Sequence, residues 1–157
     1  MLCLIGVRHD IQFDPAPHIA KVVRDKRGLF KAYVLEVIEK FGIAVLAEEF
    51  NDDGKRLWRV SETTLEQIAK NKGIEHRFCD PTAVEREENE IEKSDSDKRE
   101  QFWLTRIQDC KDKNVLFVCG DDHFDSFSKK LNAAGFDVKP GLRLDITDQE
   151  VRETYGL

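Results

Sequence analysis

The chain has 157 residues, with 25 Lys and Arg against 31 Asp and Glu, giving a formal net charge of −6. Hydrophobic residues make up 40% and charged residues 36%, which suits one domain with a core and a strongly solvated surface; the acidity argues against a general nucleic-acid binder, whose affinity comes from neutralising phosphates. No stretch approaches the roughly 18–20 apolar residues of a membrane span, the apolar start Met1-Leu2-Cys3-Leu4-Ile5-Gly6 has no basic leader, and Cys3, Cys79, Cys110 and Cys119 form no C-x-x-C pair, so a cytoplasmic chain with reduced thiols and no membrane partner is expected.

The first apolar run, residues 2–7, leads into Gly6-Val7-Arg8-His9-Asp10. Ile19, Val22, Val23, Phe30, Tyr33, Val34, Val37, Ile38 and Phe41 then keep helical spacing up to a stop at Gly42, with Gly28 as a candidate boundary between a loop and a helix. A second run, residues 43–47, is followed by Glu48-Glu49 and Asn51-Asp52-Asp53. Thr63-Thr64-Leu65-Glu66 is a capping box opening a helix that closes at Gly73. The third run, residues 74–79, meets Asp80-Pro81, which reads as an N-cap and first helical residue.

Residues 85–100 hold eight acidic side chains and four basic ones, with Ile91 as the only apolar residue. Such a segment reads as a solvated helix or a mobile loop, with a mobile lid as the sharper alternative. The fourth run, residues 114–119, leads to Gly120-Asp121-Asp122-His123, where Asp121 and Asp122 suit caps for a helix through Phe124, Phe127 and Leu131 to Gly135. The fifth run, residues 136–139, alternates like an edge strand and leads to Pro140-Gly141. A last short helix is expected from Thr147-Asp148-Gln149-Glu150 to near Tyr155. The alternation predicts a single α/β domain over residues 1–157, with an open, mainly parallel five-stranded sheet and helices on both faces.

Ligands of such sheets gather beyond the carboxyl ends of the strands. Two of these ends carry G-x-x-H, at Gly6–His9 and Gly120–His123, and a third carries Glu48-Glu49. For His9 and His123 to meet, strands one and four must be neighbours, which predicts the order 3-2-1-4-5 with Glu48 or Glu49 on the same rim. Alternation turns one glutamate toward the crevice and one away without saying which. Two imidazoles and a carboxylate hold a divalent metal with positions open to water, and without a metal a neutral His with a Glu activates water as a general base. The plain alternative is that His9 and His123 bond turn backbones; His18 and His76 read as structural. Trp58 and the Phe102-Trp103 pair read as core or as a homodimer patch. Dinucleotide, P-loop and nucleophile-elbow motifs are absent.

This set of motifs resembles the TraB/Tiki/erythromycin-esterase-like superfamily, grouped with the haem-binding ChaN proteins. Its pattern is two strand-end G-x-x-H motifs, a glutamate after the second strand and an arginine on a helix between them. Here these look like Gly6-Val7-Arg8-His9, Ala47-Glu48-Glu49, Arg99-Glu100-Gln101-Phe102-Trp103 and Gly120-Asp121-Asp122-His123. The resemblance implies a hydrolase of esterase or peptidase type acting on a small molecule or peptide. In it His9, Glu48, Glu49, His123 and Arg99 would be catalytic. His9, Glu49 and His123 would bind a divalent metal (Mn, Co or Zn), and Arg99 would meet an anionic or oxyanion group. The rival expectation is a non-catalytic ligand-, metal- or haem-binding module of the same fold.

Overall fold

The computed structural model describes residues 1–13 and 21–144. His18, Ile19 and the helix expected between Thr147 and Tyr155 lie outside the described residues. Five strands form one parallel sheet: β1 (Leu2–Val7), β2 (Val45–Glu48), β3 (Glu75–Phe78), β4 (Val115–Gly120) and β5 (Val138–Leu144). The helices are α1 (Lys21–Phe41), α2 (Asp52–Trp58), α3 (Thr64–Lys72), α4 (Ala83–Glu88), α5 (Ser96–Ile107) and α6 (Phe124–Ala133).

Side-chain alternation along the strands builds two cores. Cys3, Ile5 and Val7 of β1, Leu46 of β2, and Leu116 and Val118 of β4 pack with α1 and α3 through Val23, Phe30, Val34, Leu65 and Ile68. Leu2 and Leu4, Val45 and Ala47, and Val115, Phe117 and Cys119 face the other way, onto Trp103 and Ile107 of α5 and Phe127 and Leu131 of α6. Each fully buried side chain of this kind contributes roughly 1.5–3 kcal/mol. All four cysteines are buried and unpaired. Among the described residues no helix is long and apolar enough to cross a membrane.

The local signals mostly hold. Thr63 and Glu66 make the reciprocal capping box of α3, and Gly73 closes the helix at φ +67°. Gly28 does not divide α1, which runs through it, because Val23, Arg27, Phe30, Val34, Val37 and Ile38 keep one buried stripe on either side. Asp80 is not a cap: Thr82 caps α4, with Glu85 closing the box. Asp121 accepts from Arg143 Nε at 2.7 Å and Nη2 at 3.0 Å instead of capping α6. The charged segment 85–100 is the end of α4, a turn and the start of α5, so part of it is a solvated helix. One of its acids, Glu100, is buried.

The strand order is 3-2-4-1-5, not 3-2-1-4-5. Strands β1 and β4 are neighbours as expected, but β4 also pairs with β2, and β5 lies beside β1. The fifth strand occupies the free edge of β1. It continues through Pro140 and Gly141, and its register on β1 shifts between Leu4 and Gly6. A Cβ on Gly141 would come within 2.8 Å of the Leu4 carbonyl oxygen and 3.0 Å of Cys3 Sγ. This glycine therefore lets the edge strand close onto β1, and β4 takes the slot that the β1-to-β2 crossover skips. Right-handed crossovers then place α1 and α3 on one face and α5 and α6 on the other. The chain leaves β1 and β4 toward opposite sides, which opens a crevice between their carboxyl ends.

Candidate active site

Strand parity decides between the two glutamates. Glu48 shares the orientation of Leu46 and turns into the α1/α3 side, where its buried carboxylate accepts from Gln12 Nε2 at 3.1 Å, from His76 Nε2 at 2.8 Å and from Thr63 Oγ1. It does not join the crevice, which corrects its candidacy as a catalytic group there. Glu49, one residue past the strand, turns into the crevice with its side chain only 1% exposed. Its Oε2 accepts the Gly120 N–H at 2.6 Å, and its Oε1 accepts from Arg99 Nη2 at 2.7 Å. His9 Nε2 lies 3.5 Å and His123 Nε2 3.6 Å from the same Oε1.

Both imidazoles are held at their other nitrogen. Gln12 gives its amide N–H to the acceptor-only carboxylate of Glu48, so its Oε1 faces His9 and takes the Nδ1 proton at 2.8 Å. His123 donates Nδ1–H to Glu100 Oε1 at 2.8 Å, which also accepts from Ser126, and Lys130 Nζ stands 3.0 Å from Glu100 Oε2. Trp103 packs edge-on against the His123 ring at 4.9 Å. With both Nδ1 atoms committed as donors, each Nε2 presents a lone pair to a carboxylate oxygen unless a proton, a water or a cation stands between them. For His9 that occupant is a proton. Burial disfavours the charged ring, but hydrogen bonding and charge attraction from Glu49 outweigh it, and the His9 pKa rises to about 9. Burial of Glu49 likewise opposes its charge and is outweighed by His9, by His123 and by the Gly120 N–H, so its pKa falls below the ordinary value.

Arg99 comes from α5 and is largely buried. Its Nε and Nη2 donate to Asp80 Oδ1 at 3.0 and 2.8 Å, and Trp103 Nε1 donates to the same oxygen at 3.0 Å. Burial raises the Asp80 pKa despite these partners. Arg99 is thus a bridge between the acids after β2 and β3, not a solvated surface residue.

The second motif glycine keeps space open. Gly120 has an ordinary φ of −58°, so its value is the missing side chain. A Cβ there would stand 3.2 Å from Glu49 Oε2, 3.4 Å from His9 Nε2 and 3.6 Å from His123 Cδ2. Gly6 serves packing instead: a Cβ would meet Asp121 Oδ1 at 2.6 Å and the Phe124 ring at 3.0 Å. Beside this cluster lies a cavity of about 290 Å³ whose lining includes His9, Glu49, Asp80, Arg86, Lys93 and Arg99.

Among the described residues, no group of three or more His, Cys, Asp and Glu side chains is preassembled for a metal ion. In donor type His9, Glu49 and His123 suit a divalent cation, since both Nε2 atoms lie 3.5 and 3.6 Å from Glu49 Oε1, although only His9 turns its Nε2 toward the space beside Gly120, where His123 presents Cδ2 and Glu49 presents Oε2. A cation between the two Nε2 atoms would share Glu49 Oε1 with Arg99.

The strand-end pattern leads to His9, His123 and the Glu48-Glu49 pair, and the family resemblance leads to Arg99; neither leads to Gln12 or Glu100, and Asp80 reads there as a cap. Glu100 had a readable sign, since with Trp103 and Ile107 it forms the buried stripe of α5 at positions i, i+3 and i+7. Gln12 sits three residues after His9 in a single 3₁₀ turn, a spacing with no apolar signal. No family model matches the chain, and the searches of curated proteins and of solved structures found no match. The class defined by fold and site is therefore an open parallel α/β domain with an ionisable crevice at its switch point.

Proposed function

We propose that the chain is a small hydrolase that activates water in the crevice between β1 and β4. The observation that carries this reading is the approach of two anchored imidazole Nε2 atoms to one oxygen of the buried Glu49, at 3.5 and 3.6 Å. A water beside Gly120 would be oriented by Glu49. His123 Nε2 would take its proton, because Nδ1 is already committed to Glu100. The water oxygen bonds to the acyl carbon of an ester or amide, and the bond to the leaving alkoxide or amine breaks. The leaving group takes its proton from the His9 imidazolium, and solvent resets both rings. Arg99 Nη1, which has no hydrogen-bond partner among the described residues, is the available donor for the oxyanion. In a metal-loaded form, which would replace the proton-transfer roles of the two rings because both Nε2 atoms would be ligands, a divalent metal held by His9, Glu49 and His123 would supply Lewis acidity and a more acidic bound water. The motif resemblance to the TraB/Tiki/erythromycin-esterase-like superfamily supports the same reaction class. The buried, unpaired thiols suit a reducing compartment, so we place the chain in the cytoplasm.

The test is hydrolysis of generic esters, peptides and phosphoesters by purified protein, alone and with Mn²⁺, Co²⁺ or Zn²⁺, alongside metal analysis. His123→Ala and His9→Ala should each lower turnover by about 100-fold or more. Equal activity in wild type and both variants overturns the catalytic reading. A second reading, ligand binding without turnover, draws on the hydrogen bonds that already engage both Glu49 oxygens. Saturable binding by a protein that turns over none of these substrates favours it.

A further inference from the structure

We propose that this crevice selects small amphipathic anions, with an aromatic or aliphatic body against Leu57 and Trp58 and an acidic group at Arg86 and Lys93. The inference names a substrate class for the hydrolytic site and rests on that reading for the reaction, though not for binding.

The carboxylates lining the cavity are already answered. Glu49 accepts from Arg99 and the Gly120 N–H, and Asp80 accepts from Arg99 and Trp103. Asp53 accepts the Ala83 N–H at 2.7 Å and pairs with Arg56. The cations are less fully answered, although the charge of Arg86 also helps to lower the Asp53 pKa. Arg86 gives Nη1 to the Pro81 carbonyl at 3.0 Å, leaving most of its five N–H donors unused, and Lys93 forms no ion pair among the described residues. In a chain of net charge −6, this lining sets Arg86, Lys93 and Arg99 against Glu49, Asp53 and Asp80, a balanced surface on which the two under-used cations are the groups open to an anion.

The apolar wall comes from α2. Leu57 is 73% and Trp58 52% exposed, and both line the cavity. Trp58 is backed by Phe13 at 5.4 Å, and Phe13 by Phe50 at 5.8 Å, so the exposed indole rests on an ordered aromatic layer. A ring laid on Trp58 removes apolar surface from water on both partners. The volume, about 290 Å³, is at the small end for ligand pockets, which fits a ring of one or two cycles with one acidic substituent.

The experiment is calorimetric titration with three probes that cannot be hydrolysed: 1-naphthylacetate, its neutral counterpart 1-naphthalenemethanol, and acetate. Naphthylacetate should bind about three- to tenfold tighter than the alcohol, and acetate should bind more weakly than either. The double variant Arg86→Gln/Lys93→Gln should equalise the two naphthyl probes, and Trp58→Ala should weaken both. Lys93→Glu, a single change at an exposed position, should reverse part of the preference. Equal affinity of wild type for anion and alcohol, or an anion preference that survives both the double variant and Lys93→Glu, overturns the inference. Hydrolysis of neutral 1-naphthyl acetate is measured in parallel. Turnover without anion preference refutes the selectivity and leaves the hydrolase reading standing. The expected binding pattern without turnover of any ester supports the selectivity and refutes the hydrolase reading.

Discussion

The His9–Glu49 ion pair gives the folded state a pH dependence whose sign and window can be stated in advance. The His9 pKa is raised from 6.5 to about 9. Its contribution is therefore complete below 6.5 and is lost as pH rises through about 9. The Glu49 pKa is lowered from 4.5, so its contribution is present above that value and is lost as pH falls through the folded pKa. Each pH unit of His9 displacement corresponds to about 1.4 kcal/mol. The His9 side chain is 42% exposed, so solvent screens much of the interaction, and about 1–2 kcal/mol is the expected size. The comparison variant is His9→Ala, which leaves Glu49 paired with Arg99 and so avoids stranding a buried charge. Urea unfolding of both proteins at pH 6 and pH 10 should show wild type more stable by about 1–2 kcal/mol at the lower pH, with the gap closing at the higher. An NMR titration of His9 checks the cause directly. A His9 ring that titrates near 6.5, or a stability gap that does not change between the two pH values, refutes the reasoning.

The two motif glycines should separate by substitution. Gly120→Ala places a methyl among Glu49, His9 and His123 and should cost about 1 kcal/mol in thermal stability while lowering ester turnover by about 100-fold; Gly6→Ala, driven into Asp121 and Phe124, should cost about 1–3 kcal/mol and leave turnover per folded molecule within about threefold. Glu100→Gln keeps the shape around His123 but removes the charge that favours its role as proton acceptor, so kcat should fall about 100-fold with KM little changed. Steady-state kinetics that show KM rising while kcat holds would assign Glu100 to substrate binding instead.

The sequence made the strands and their carboxyl ends legible because apolar runs and G-x-x-H exits are local signals. Adjacency in the sheet is not local. β5 seats closely on β1 through Gly141, a long-range contact that nothing in the periodicity of residues 136–139 records. The same distinction applies to the site. His9, Glu49 and His123 stand directly at strand ends, where a short motif exposes them. Glu100 stands on a helix inside a run of acids that reads as solvated, and only its phase with Trp103 and Ile107 places it in the core. Asp80 was obscured by a competing local rule: Asp-Pro suits a helix start, yet Thr82 takes that role and frees Asp80 for Arg99 and Trp103. Glu48 and Glu49 were separable in principle once the β2 residues were assigned to faces, since Leu46 and Glu48 share parity.

The strand order is also what makes the crevice chemically coherent. In a 3-2-1-4-5 sheet, β1 would stand between β2 and β4, and two strand spacings of about 4.8 Å each would separate Glu49 from the Gly120 backbone. With β4 next to β2, the Gly120 N–H bonds Glu49 directly at 2.6 Å, and the carboxylate is fixed before any proton or ligand arrives. His123 then follows the same strand, while His9 enters from β1 on its far side, so the rings reach one carboxylate from two different strands. Each ring also has its own anchor on a separate part of the fold, Gln12 with Glu48 for His9 and Glu100 on α5 for His123. A change at one anchor therefore leaves the other ring held by its own partner.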